Sequence, residues 1–342
     1  MNLQELNTSR IQKKNRAKMQ IFQATSLESH LNILQPLINT NLRTIVQVYQ
    51  GDFVNEKSPG LGDFLRGSFY LMQLAGILNV DFKIDISNHP ISEFIVNNGK
   101  SNDINYNNIE FLMGLNRCPV TSFSINPPNN RYFDLKFTNS IIRKLNQSNA
   151  QHVGLFSNAF PIFYHFSEYG RNIIRSYLMP NKTMIEYIKN AFDSLQLQPN
   201  TYGVIHIRTG DEYLSTKRGD LPPDYTKIIQ IITSVNNPNK KYLILSDNYS
   251  LKSRLKKYQN FYVYMHNIEH LGSEINYNKS TIGIKNTLLE FYLMSYSNSI
   301  LSLSVYDHIS GFSKYCSELY NIPFKNIKIG NNSKSNIIKL NI

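Results

Sequence analysis

Short apolar runs alternate with longer helical patterns along most of this chain, and that alternation constrains the fold more than any other feature. "RTIVQVYQ" (43–50) has the β-branched character of a strand, "DFLRGSFYLMQLAGIL" (63–78) reads as a helix and "DFKIDIS" (81–87) as a second strand. "HPISEFIVNN" is expected to start a helix with Pro90 near its first turn, "NIEFLMGL" is ambiguous, and "HVGLFSN" (152–158) reads as a further strand. "PNKTMIEYIKNAFDSL" (180–195) has apolar residues at 184, 185, 188, 191 and 192, the spacing of a helix that buries one face. After the polar "QLQPNTYG" the alternation restarts. Strands "VIHIR", "KYLILSD", "FYVYM" and "SILSLS" are interleaved with helices "DYTKIIQIITSV", "NYSLKSRLKKY", "NTLLEFYLMSYS" and "SGFSKYCSELY". Strands and helices alternating in both halves imply two α/β domains, each a doubly wound parallel sheet. The expected division is a helical or mobile lead-in at 1–42, a first domain at 43–197, a second at 198–330 and a tail at 331–342.

The length of 342 residues suits two domains of ~150 residues each. With 41% hydrophobic and 18% charged residues the chain buries a full core and is not of the disordered class. A formal charge of +12 points to an anionic partner: nucleic acid, an acidic membrane surface or a phosphorylated small molecule. No nucleic-acid-binding module is visible. The basic clusters Lys13, Lys14, Arg16, Lys18 and Lys252, Arg254, Lys256, Lys257 read as solvated helix faces. Cys118 and Cys316 are too few for a disulfide framework and lack a zinc spacing. The polar amino terminus and the want of a long apolar run lead to the expectation of a cytoplasmic protein with no membrane span.

Three stretches carry chemistry. In "YGVIHIRTGDEY" (202–213), Arg208 ends a strand just before the turn Thr209-Gly210-Asp211. Ligands of such sheets sit beyond the carboxyl ends of the strands, and a guanidinium there forks onto two phosphate oxygens. A turn-shaping pair between Arg208 and Asp211 is the alternative. His206 points to the same side of the strand and is either part of the site or a satisfied core histidine. In "SPGLGDFLRG" (58–67), Gly60 and Gly62 lie between a strand and a helix, where bare backbone and a helix amino terminus favour an anion. Asp63 is read as the helix cap, or else as a base or acceptor contact. In the third stretch Glu290 lies one turn from Leu293 and Met294, so its carboxylate needs a partner, either a guanine N1/N2 edge or a protein arginine. Ser310, Gly311 and Ser313 open a helix and offer hydroxyl and backbone donors to phosphate, or form a simple cap with Phe312 in the core.

Taken together and in this order, "HIRTGD", "EFYLMSYSNSILSLS…SGFSKYCSEL" and "PGLGDFLRG" resemble the fucosyltransferases related to the α1,2-, α1,6- and protein-O-fucosyltransferases, over about residues 43–325. The resemblance implies a GT-B architecture of two Rossmann-like domains facing a cleft, with GDP-fucose as donor substrate and no cofactor or metal. It implies inverting, metal-independent transfer to a glycan, protein or other hydroxyl acceptor. On it, Arg208 would contact the β-phosphate, His206 and Glu290 the guanine region, Ser310 or Ser313 the phosphates, and Asp247 would lie near the nucleotide. The general base is assigned to Asp63, with His206 or another carboxylate left open. Two other readings compete: a GT-B transferase of another nucleotide sugar, and a non-catalytic glycan- or nucleic-acid-binding protein.

Overall fold

A computed structural model describes residues 34–49, 52–53, 56–57, 59–99, 109–111, 135–163, 165–209, 225–269, 271, 281–305 and 309–329. Residues 1–33 of the expected lead-in, the expected tail and the Gly210-Asp211 turn lie outside the described residues. The chain divides into two compact units, with the break between Pro180 and Asn181.

The first unit is built on a parallel sheet. Strands β1 (Thr44–Val48), β4 (Asp81–Asp85), β5 (Ile109–Phe111) and β6 (His152–Leu155) run in the spatial order β4-β1-β6-β5, and β2 (Asp52–Phe53) pairs with β3 (Glu56–Lys57) as a separate antiparallel ribbon. Every residue of β1 is buried, as a central strand covered on both faces requires. Helix α1 (Leu61–Leu78) lies against β1 and β4, and nearly all of it is buried. It ends at Asn79, whose left-handed backbone (φ 57°) closes the last turn. It begins two residues earlier than the sequence pattern indicated. Its N-cap is Gly60, and Asp63 sits inside the first turn, so the reading of Asp63 as the cap is corrected. The helix expected at "HPISEFIVNN" is instead two short 3-10 turns, Pro90–Phe94 and Val96–Gly99, the first capped by the His89 ring accepting from the Ile91 N–H. Left-handed Asn97 and Gly99 prevent a continuous helix there. Helices α2 (Leu135–Gln147) and α3 (Glu168–Tyr177) complete the unit, α3 capped by Ser167.

In the second unit, α4 (Lys182–Leu195) starts at the cap Asn181, whose side chain accepts from the Met184 N–H. A five-stranded parallel sheet follows, with β7 (Tyr202–Arg208), β8 (Lys241–Ser246), β9 (Phe261–Val263), β10 (Ser299–Ser304) and β11 (Phe324–Lys328) in the order β9-β8-β7-β10-β11. Helices α5 (Tyr225–Val235), α6 (Tyr249–Leu255), α7 (Thr281–Ser295) and α8 (Gly311–Tyr320) link the strands. Numbered within the unit, the order is 3-2-1-4-5, so the chain reverses direction across the sheet between β7 and β10. In sheets of this topology the crevice beyond that reversal is where ligands bind. Ile205 and Ile207 on β7 pack with Ile228 and Ile232 of α5 and Leu251 and Leu255 of α6, which commits one face of the strand to core. His206 and Arg208 therefore fall on the other face. Each unit is thus an α/β parallel-sheet body. No helix among the described residues is long and apolar enough to cross a membrane.

Candidate functional site

The end of β7 gathers the second unit's polar residues. Arg208, its last residue, donates from Nη1 to Asp247 Oδ2 at 2.5 Å. Asp247 follows β8 directly, and its Oδ1 accepts from the Thr209 backbone N–H at 3.0 Å and the Thr209 hydroxyl at 3.1 Å. Asp211, the partner considered for Arg208 in the sequence, lies outside the described residues; the carboxylate found on Arg208 is that of Asp247. Burial pushes the Asp247 carboxyl up, but Arg208 and the Thr209 bonds outweigh it and hold the group below its usual range. An ionised Asp247 in this position fixes the plane of the guanidinium. Nη2 and Nε of Arg208 are bonded to no described residue, so one edge of the fork is held while the rest stays available.

His206, two residues back, is nearly enclosed, and its Nδ1 lies 3.1 Å from Ser313 Oγ. Burial lowers its pKa from 6.5 to about 4; Asp247 opposes the shift, whereas Arg208 and Lys252 add to it. The ring is neutral at physiological pH. Ser313 stands in the first turn of α8, whose N-cap Ser310 has an extended backbone and a hydroxyl that makes no cap hydrogen bond. Phe312 packs against His206 and Phe291, each with ring centroids 5.6 Å apart. Ser310, Gly311 and Ser313 thus surround the amino terminus of α8 at the same end of the sheet as Arg208.

Glu290 has a protein partner. Lys252 Nζ lies 2.5 Å from Glu290 Oε1, and both side chains are 1% exposed. Lys252 also donates to the His266 carbonyl at 3.3 Å. Burial pushes the Glu290 carboxyl up to about 7 against the pull of the Lys252 ammonium. Where the sequence left a protein arginine open as the alternative to a guanine edge, the protein cation on Glu290 is a lysine. Helix α7 otherwise uses its polar residues to tie down the segment before it. Asn286 donates to the Asn267 carbonyl at 2.9 Å and Thr287 to the Glu269 carbonyl at 2.6 Å.

In the first unit, Gly60 and Gly62 sit at the start of α1, and Asp63 Oδ1 pairs with Arg66 Nη1 at 3.0 Å with its side chain 43% exposed. Arg66 also donates from Nε to the Asn158 carbonyl at 2.6 Å and lies over the Phe160 ring. Gly60, Gly62 and Asp63 are thus brought together in one unit and the remaining candidates in the other. No group of three or more His, Cys, Asp or Glu that could hold a metal occurs among the described residues.

No protein-family profile matches the chain. No curated protein matches it either. Among solved structures it is similar to NodZ alpha-1,6-fucosyltransferase soaked with GDP-fucose, at 16% identity and a TM-score of 0.49, over 84% of this chain and 96% of that one. A second similar structure is fucosyltransferase NodZ from Bradyrhizobium, at 15% identity and a TM-score of 0.49, over 84% and 95%. A third is POFUT1 in complex with GDP, at 12% identity and a TM-score of 0.43, over 84% and 99%.

Three residues that support this end of the second unit are not apparent from the sequence. Thr209 was seen as part of the turn, yet it supplies two of the bonds that hold Asp247. Ser302 on β10 stands opposite His206 in the sheet register and bonds Ser313, a pairing that needs the strand order to be known. Lys252 was grouped with Arg254, Lys256 and Lys257 as a solvated face, and for it the reading is corrected: the other three are exposed and Lys252 is buried. The available signal was its position next to Leu251 on the helix stripe that faces inward.

Proposed function

We propose that this chain is a glycosyltransferase that moves fucose from GDP-fucose to a hydroxyl of a glycan, protein or other acceptor, with inversion and without a metal. The observation that carries the reading is Arg208, held by Asp247 at the topological switch of a Rossmann-like sheet beside the α8 amino terminus. Cleavage of the sugar–phosphate bond leaves negative charge on the β-phosphate. A guanidinium already fixed there stabilises that charge as it forms, and needs no reorganisation to do so. The Ser310 hydroxyl and the backbone N–H groups at the start of α8, those of Gly311 and Ser313 among them, supply donors to the same diphosphate, aided by the helix amino terminus. Inversion follows if the acceptor oxygen attacks the anomeric carbon from the side opposite the leaving diphosphate. Its proton is assigned to Asp63, whose carboxylate is partly exposed and is oriented by Arg66.

The buried Lys252–Glu290 pair favours one second reading, transfer from another nucleotide sugar, because it occupies the carboxylate that would have read guanine. A thermal-shift panel separates the two. GDP should raise the melting temperature in proportion to its binding while UDP does not, because a ligand of the native state stabilises by mass action. A larger shift with UDP than with GDP would transfer the assignment to the second reading.

A further inference from the structure

Ser302, Ser313 and His206 form a hydrogen-bonded chain that the mechanism above leaves unused. Ser302 lies on β10 directly across from His206 on β7, and Ser313 closes the gap from α8. Ser313 Oγ is 3.0 Å from Ser302 Oγ, 3.1 Å from His206 Nδ1 and 3.5 Å from the Ser310 carbonyl. All three side chains are buried. A serine hydroxyl has a single hydrogen. The angles let Ser313 donate it to Ser302, and the alternative acceptor, the Ser310 carbonyl, accepts only. With that hydrogen on Ser302, the nearer acceptor, the lone pairs of Ser313 face the imidazole. Nδ1 then carries the ring hydrogen, and Nε2, bonded to no described residue, keeps its lone pair.

We propose that Ser302 and Ser313 are positioning residues that hold His206 as its Nδ1–H tautomer, so that Nε2 serves as a hydrogen-bond acceptor for a donor group of the bound nucleoside diphosphate. The nucleotide half of this statement rests on the function proposed above, and the tautomer half does not. The division of labour on β7 is then complementary: Arg208 offers donors to oxygen anions, and a neutral His206 offers an acceptor to N–H or O–H. A protonated ring, or the opposite tautomer, would present a donor and reject the same group. Ser302 acts at one remove, because it engages the Ser313 hydrogen that would otherwise turn to Nδ1.

The test uses the full-length protein with nitrogen-15-labelled histidine and long-range proton–nitrogen correlation at pH 7.5, the His206 signals being assigned by their loss in His206→Gln. The wild type should show a protonated Nδ1 and an unprotonated Nε2 without ligand. Ser302→Ala should reverse the pattern, because Ser313, left with only the Ser310 carbonyl at 3.5 Å as an alternative, then donates to Nδ1 at 3.1 Å, and Ser302→Thr, which keeps a hydroxyl, should restore it. Ser313→Ala provides a second perturbation in which Nδ1 loses its acceptor and the two tautomers mix. A protonated Nε2 in the wild type, or a pattern untouched by both alanine variants, would overturn the tautomer assignment. Calorimetric titration with GDP reads the acceptor role: Ser302→Ala should weaken GDP about 10-fold, the worth of one hydrogen bond. Unchanged GDP affinity with a reversed tautomer would overturn that role. Failure of the wild type to bind GDP at all, with the tautomer as stated, would instead count against the nucleotide reading.

Discussion

Arg208 and His206 share one face of β7, Arg208 paired with Asp247 and His206 enclosed. Burial makes the imidazole give its proton up, its pKa being lowered to about 4. Folding stability must reflect this. In the unfolded chain His206 titrates near ~6.5, so between about pH 6.5 and 4 the unfolded state binds a proton that the native state refuses. Its contribution is therefore complete above pH 6.5 and is lost as the pH falls, by about 3 kcal/mol in all. Glu290 works in the opposite sense: its raised carboxyl, at about 7, favours the native state at low pH and costs stability as the pH rises from about 4.5. The comparison of wild type with His206→Gln isolates the histidine. Urea denaturation at pH 7.5 and 4.5 should show the wild type losing about 2–3 kcal/mol more than the variant; equal losses would mean that folding does not lower the His206 pKa. The two β7 residues were legible in the sequence because a charged residue ending an apolar run has few reasons to be there. Lys252 was not, because a lysine inside a basic cluster looks solvated until its carboxylate, 38 residues away, is brought beside it.

Helices α6 and α7 are joined by that pair, and the cost of breaking it belongs to both. Neither side chain is in water, so removing one charge leaves the other buried without compensation. Glu290→Gln should cost about 3–5 kcal/mol, and Lys252→Met/Glu290→Leu together should cost much less. The readout is the urea midpoint. Equal destabilisation by the single and double variants would show that the pair is not the source. Helix α1 carries a different constraint. Gly67 lies against the segment after β6, where an added Cβ would stand 1.6 Å from the Ser157 carbonyl oxygen, a backbone atom that a rotamer change cannot move. Gly67→Ala should destabilise by about 3 kcal/mol or more, and a variant as stable as wild type would contradict that packing. The sequence pointed to Gly60 and Gly62 because a strand-to-helix turn announces itself locally. Gly67 answers to a contact 90 residues distant, made alongside the Gln47 side chain that bonds the same Ser157 carbonyl at 2.8 Å. Element type was readable where period and burial agreed, as in β7, β8, β10 and α4. It failed at 90–99, where the backbone turns left-handed twice, and at β11, an edge strand whose "FKNIK" has its two apolar residues three apart and so lacks the strand period.

At the scale of the whole molecule, two parallel-sheet units could be foreseen from the strand–helix alternation, but their strand orders could not. Order is what makes the end of β7 a candidate site, because it sets β7 between β8 and β10, so that Arg208, Asp247, His206 and the start of α8 meet at one end of the sheet. On the function proposed above, Arg208 does for a GDP-sugar the electrostatic work for which other transferases recruit a divalent cation. Release of GDP from GDP-fucose, followed with and without EDTA for wild type and Arg208→Lys, reads that role. Wild-type turnover should be indifferent to the chelator. The lysine variant, which keeps the charge but loses the fork, should fall by about 10²–10³. Turnover abolished by EDTA and restored by Mn²⁺, or a lysine variant that keeps more than half of the wild-type rate, would rule out that role for Arg208.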